Sequence, residues 1–79
     1  MAEIKFEIIN HIGVVERSGK GWQLEVNRIS WNGAEPKYDI RSWSANHEKM
    51  GKGITLSEQE LRSLKQILDQ EIAFLDEDE

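Results

Sequence analysis

In the stretch KYDIRSWS, residues 37–44, strand alternation puts Lys37, Asp39, Arg41 and Trp43 on one face and Tyr38 and Ile40 on the other. Cations beside an aromatic ring suit a polyanion with flat, stackable groups, because charge meets phosphate while the ring meets an unpaired base. Lys49 and Lys52 follow in the next loop, and Trp31 ends the preceding apolar segment. Exposed aromatics of this kind would equally serve a protein-contact surface, and the residues by themselves leave both readings open.

Other chemistry finds less support. With no cysteine and two separate histidines, thiolate metal sites and disulfides are excluded and a histidine ligand set is poor. Neither His11 nor His47 has a nucleophile or carboxylate at diagnostic spacing, and His47, in a polar loop, reads as solvated. GKG at 51–53 lacks the glycine at 46 and the Ser or Thr at 53 that a phosphate loop needs; Asn46 and Gly53 stand there instead. Asp39 and Arg41 read as a surface ion pair of ~0 to 1 kcal/mol. No catalytic residue, metal, cofactor or small-molecule substrate is expected.

The net charge of −5 is unevenly distributed. Residues 1–56 carry eight Lys or Arg against seven Asp or Glu, whereas residues 57–79 carry two against eight, so +1 and −6 make up the total. The acid belongs to the C-terminal segment, and the remainder can present a locally positive surface. No apolar run reaches the ~20 residues of a membrane span and no signal sequence is evident, so a cytoplasmic location is the default. A 79-residue chain has room for one domain, residues 1–79, and buries only ~60% of its unfolded surface. Without cysteine, oligomerisation is the stabilising device left open.

These side chains must be positioned by strands. Ile4 to Val14 alternates with period two over an unusual length, which predicts bending or a bulge near Asn10 to Gly13. RSGKG, residues 17–21, is a turn. Trp22 to Asn32 reads as a second strand in which Trp22, Leu24 and Val26 share one parity and Ile29 and Trp31 the other; either a bulge flips the register or Trp31 faces outward. Asn32-Gly33 is a turn signal, residues 37–44 form the third strand, 44–53 a polar loop, and Ile54 to Leu56 a short fourth strand. Phe6, Trp22, Tyr38 and Phe74 occupy core-like positions. Ser57 and Glu60 make a capping box, after which Leu61, Leu64, Leu68, Ile72 and Leu75 recur at helical spacing, with Ile67 and Phe74 widening the apolar stripe. The expected fold is α+β: a sheet over residues 1–56, a helix over 57–75 covering one sheet face, and an acidic tail at 76–79.

In order, WNG at 31–33, YDIR at 38–41 and GKGITLS at 51–57, followed by the amphipathic helix, resemble the transcriptional positive-cofactor-four family of single-stranded-DNA-binding proteins, in particular its bacterial YdbC-like branch. The resemblance covers nearly the whole chain. It implies a curved four-stranded antiparallel sheet followed by one helix (ββββα), a homodimer paired through the helices, and a channel for single strands. Leu64, Ile67, Leu68 and Phe74 would then form the dimer interface. Lys20, Arg28, Trp31, Lys37, Arg41, Trp43, Lys49 and Lys52 would contact nucleic acid, with Trp43 an exposed stacking ring. The expected activity is sequence-tolerant single-stranded DNA binding without catalysis; an RNA ligand and a dimeric protein-interaction module are the competing readings.

Overall fold

The computed structural model describes residues 4–77. Four strands, β1 (Phe6–Arg17), β2 (Gln23–Trp31), β3 (Lys37–Trp43) and β4 (Met50–Leu56), form one antiparallel sheet in the order β1-β2-β3-β4, followed by the helix α1 (Glu58–Asp76). The ββββα arrangement expected from the sequence is present. The fourth strand begins at Met50, four residues earlier than the apolar run indicates, because backbone pairing with β3 continues through the glycines. Of the acidic tail, Asp76 closes the helix, Glu77 caps it, and residues 78 and 79 lie outside the described residues.

Local chemistry accounts for the connections. Lys20 (φ 64°) and Gly21 (φ 81°) turn the chain between β1 and β2, and Asn32 (φ 52°) and Gly33 (φ 77°) form the next tight turn, closed by the Ala34 N–H donating to Trp31 O at 2.9 Å. Asn32 also binds the chain ahead of β1: its N–H donates to Lys5 O (2.7 Å) and its Oδ1 accepts from Lys5 N–H (2.9 Å). At the helix start the capping box is complete, with Glu60 N–H donating to Ser57 Oγ (3.1 Å) and Ser57 N–H to Glu60 Oε1 (2.8 Å).

The register between β2 and β3 is unbroken from Gln23↔Trp43 to Ile29↔Lys37. The ambiguity at Trp31 is thereby resolved: Glu25, Asn27, Ile29 and Trp31 share one face with Asp39, Arg41 and Trp43, opposite Leu24, Val26, Tyr38 and Ile40. β1 behaves differently. Its pairing with β2 shifts between Ile8 and Asn10, between His11 and Gly13, and again between Val14 and Glu16. The bend expected near Asn10 to Gly13 is there as the shift between His11 and Gly13, and the shift just before it, between Ile8 and Asn10, moves the even positions from one face to the other. Phe6 and Ile8 pair with Trp31 and Ile29 on the polar face, whereas Ile12 lines the cleft beside Val26 and Ile40. Phe6 is therefore not a residue of the core beneath the helix.

The helix does not cover the apolar sheet face as expected. Leu61 and Leu64 are partly sheltered, but Ile67, Leu68, Ile72, Phe74 and Leu75 remain between 48 and 62% exposed. Between helix and sheet lies an open cleft of about 660 Å³ whose walls include Ile12, Tyr38, Ile40, Leu64, Leu68 and Ile72.

Where β4 bulges against β3, between the pairs Arg41↔Gly53 and Trp43↔Met50, the backbones approach closely. A Cβ on residue 53 would meet the Ile40 carbonyl oxygen and lie 2.8 Å from Arg41 Cα. Gly53→Ala should accordingly cost about 1–3 kcal/mol in urea unfolding, as overpacking does. Gly19→Ala, where nothing lies within 4 Å, should stay within roughly 0.5 kcal/mol.

Candidate nucleic-acid interface

The polar face is built around two buried carboxylates. Asp39 is fully buried and Arg41 is 15% exposed, so their pair is not the surface contact expected from the sequence. The guanidinium grips Asp39 twice, Nε to Oδ2 and Nη2 to Oδ1, each at 3.0 Å. Its Nη1 donates to Gly51 O at 2.9 Å, and Thr55 Oγ1 donates to Asp39 Oδ1 at 3.1 Å. These bonds tie β3 to β4 and hold the guanidinium carbon 5.3 Å from the centroid of Trp31, a cation–π placement.

Glu25 is the second carboxylate, 1% exposed. Gln23 Nε2 donates to its Oε2 at 2.6 Å, Asn27 Nδ2 to its Oε1 at 3.1 Å, and His47 Nε2 lies 2.8 Å from the same Oε1. Burial pushes this carboxyl up, but the hydrogen bonds from His47, Gln23 and Asn27, aided by the charge of His47, outweigh it and hold Glu25 below its ordinary range. His47 is thus not a solvated loop residue. A turn in which Asn46 and His47 both adopt φ 58° folds its ring back over the sheet. From β1, His11 Nδ1 reaches Asn27 Oδ1 at 2.7 Å.

Above this polar layer runs a strip of rings. Trp31 and Phe6 have centroids 5.9 Å apart, Phe6 and Trp43 5.3 Å, and Trp43 meets His47 edge-on at 5.1 Å. Trp43 is on the face expected for it but is 0% exposed, which overturns its reading as an open stacking ring. Phe6 and His47 pack against it. The accessible aromatic is Phe6, 37% exposed, with Trp31 half-buried beside it. Trp31 and Arg41 also border a shallow cleft of about 320 Å³ together with Ile4, Asn32, Met50 and Thr55. The indole N–H groups of Trp31 and Trp43 are buried without a partner among the described residues.

The remaining expected contacts are distributed unevenly. Lys20, Lys37, Lys49 and Lys52 are exposed, in the β1–β2 turn, at the start of β3, in the β3–β4 loop and at the β4 bulge. Arg28 has the parity of Leu24 and Val26 and pairs with Tyr38, so it belongs to the opposite face from Trp31 and Arg41. Lys37 shares the Arg41 face by parity, and its charge adds to the Ser57 hydrogen bonds that chiefly lower the pKa of Glu60 on the helix. Phe6, Glu25, Asn27 and the two histidines are the residues that sequence reasoning missed here. Only a correct placement of the β1 bulge would have put Phe6 on this face.

An open antiparallel sheet that carries rings and cations on one face, with a helix behind the other, defines a surface-binding protein of the ββββα type. The sequence pattern of the transcriptional coactivator p15 (PC4) family matches residues 18–67, from the β1–β2 turn into the first half of α1, and the chain belongs to that family. An uncharacterized protein of Treponema pallidum (strain Nichols) is 46% identical over 66 residues, covering 84% of this chain and 78% of that one.

Breaking the Asp39 pair tests how the face is held. Arg41→Ala leaves a buried carboxylate without its cation and should lower stability by about 3–5 kcal/mol in denaturant unfolding. Lys49→Ala, at an exposed loop side chain, should stay within about 0.5 kcal/mol.

Proposed function

We propose that this chain is a sequence-tolerant single-stranded DNA-binding protein that acts as a homodimer in the cytoplasm and has no catalytic activity. The observation that carries the reading is the Phe6–Trp31–Arg41 group: an exposed ring, a half-buried ring and a guanidinium poised over it, on an open sheet face. Bases splayed from a single strand stack on such rings, while Lys20, Lys37, Lys49 and Lys52 at the periphery meet the backbone. Membership of the PC4 family supports this assignment. Among the described residues no three His, Asp or Glu side chains are grouped to hold a metal ion, and no helix is long and apolar enough to cross a membrane.

Stacking carries more of the affinity than charge does. Residues 37–53 hold four cations against Asp39 and Glu48, and Arg41 is already engaged by Asp39. A fluorescence titration with dT, rU and duplex oligonucleotides should show saturable binding to dT. A log-log salt slope of roughly −3 to −6 is expected for a dimer that neutralises four to eight phosphates. Phe6→Ala and Trp31→Ala should each weaken dT binding about 5- to 150-fold, the equivalent of ~1–3 kcal/mol per stacked base, and leave the slope unchanged. Lys52→Ala should flatten it. Binding to neither single strand would favour a protein-interaction module, and tighter binding to rU would favour an RNA ligand.

The open cleft supports the dimer. A second copy can cover the apolar sheet face and the exposed helix residues Ile67, Leu68, Ile72 and Phe74 that one chain leaves in water. Light scattering at micromolar concentration should give twice the chain mass, and Ile67→Asp or Phe74→Asp should yield monomer or unfolded protein. A monomeric parent would overturn the dimer.

A further inference from the structure

The geometry points to a proton-dependent phosphate site on the polar face, formed by His11 and His47 over the buried Glu25, and this rests on the nucleic-acid reading of that face. Both rings converge on one oxygen, His47 Nε2 at 2.8 Å and His11 Nδ1 at 3.6 Å from Glu25 Oε1. Their inner hydrogen bonds fix how each ring is used. Glu25 accepts, so His47 donates through Nε2. Asn27 spends its Nδ2 on Glu25, which turns its Oδ1 towards His11 and makes His11 Nδ1 the donor there. The nitrogens left over are His11 Nε2 and His47 Nδ1, and neither has a hydrogen-bond partner among the described residues.

In a neutral imidazole whose one proton is committed inward, the remaining nitrogen is an acceptor. A phosphodiester oxygen is also an acceptor, so the two repel until the ring takes up a second proton. Once protonated, each ring donates inward to the carboxylate or amide and outward to the phosphate. The side chains are 51% and 38% exposed for His11 and His47, enough for a strand lying across the face to reach them. His47 also packs against Trp43, next to the ring strip.

The charged groups on this face are Arg17 from β1, which reaches Gln23 at 3.3 Å; Glu25 from β2; and the closed Asp39–Arg41 pair from β3, while the loop that carries His47 adds the exposed Glu48 and Lys49. β4 places Gly53 and Thr55, both uncharged, opposite Arg41 and Asp39. Glu25 is the carboxylate that both rings approach, and it is held in its charged form by the bonds it accepts. Binding a backbone phosphate here takes up protons, and affinity rises as pH falls through the histidine range.

The test is dT binding at constant ionic strength from pH 5.5 to 8, where thymine itself does not titrate. Affinity should be about tenfold or more higher at pH 6 than at pH 8, since uptake of one proton changes affinity by up to about tenfold per pH unit. His11→Gln and His47→Gln should each reduce the pH slope, and the double variant should abolish it. If a variant fails to fold, the histidine ring resonances of the parent protein decide: their titration midpoints should move up when dT is bound. Saturable binding with no pH dependence, a slope that survives in the double variant, or midpoints unmoved by dT would each overturn the site and leave single-strand binding standing. Absence of dT binding at every pH would remove both.

Discussion

The Asp39–Arg41 pair is the interaction on which the polar face depends. Both residues lie on β3, an inner strand, with bonds reaching across to β4, and neither charge can be left without the other. Because Asp39 takes two nitrogens of the guanidinium and Gly51 O takes the third, Arg41 has one available orientation, and that orientation puts it over Trp31. Trp31 in turn supports Phe6. A fork-shaped cation is needed for this, since a lysine ammonium could not hold both carboxylate oxygens and the carbonyl in one plane.

The same pairing limits what the face can do electrostatically. Two carboxylates lie buried under it, one paired with Arg41 and the other stabilised by hydrogen bonds from Gln23, Asn27 and His47, so the centre of the sheet offers little free positive charge. The free lysines lie at its margins. A polyanion on such a surface is held by rings in the middle and by screened charges at the edge, which favours unpaired bases over a duplex whose bases are stacked on one another.

How much of this was legible follows from how far strand alternation holds. In β3 it holds without interruption, and the division of Lys37, Asp39, Arg41 and Trp43 from Tyr38 and Ile40 is as the sequence indicates. The helix, its capping box and its unpartnered apolar width were equally readable. In β1 three register shifts break the alternation, and one of them carries Phe6 to the polar side. The depth of Trp43 was hidden for a related reason: its cover comes from Phe6, placed by that shift, and from His47, placed by left-handed Asn46 and His47. Asn and His are among the non-glycine residues that adopt left-handed φ most readily, so the loop's composition permits the turn without indicating that it folds His47 onto Trp43. Charge misled as well, because a carboxylate near an arginine reads as a solvated pair until the sheet is seen to curl over it.

The buried charges also explain why an open sheet can keep one register. β2 alternates Glu25, Asn27 and Ile29 with Leu24, Val26 and Arg28, and a slip of one residue against β3 would exchange the two sets. Glu25 would then enter the apolar cleft, carrying Gln23 and Asn27 with it but leaving His47 behind, while Val26 would face the Asp39–Arg41 pair. An apolar strand could tolerate such a slip at modest cost, but a carboxylate moved into an apolar cleft away from its imidazole could not, and the penalty falls on every odd-numbered slip of β2 against β3. The polar network therefore selects the arrangement in which the ring strip forms on one side and the apolar residues Leu24, Val26, Tyr38 and Ile40 are left on the other. It separates the two surfaces chemically: substitutions at Ile67 or Phe74 act on a face that contains none of the groups that position Trp31 and Phe6.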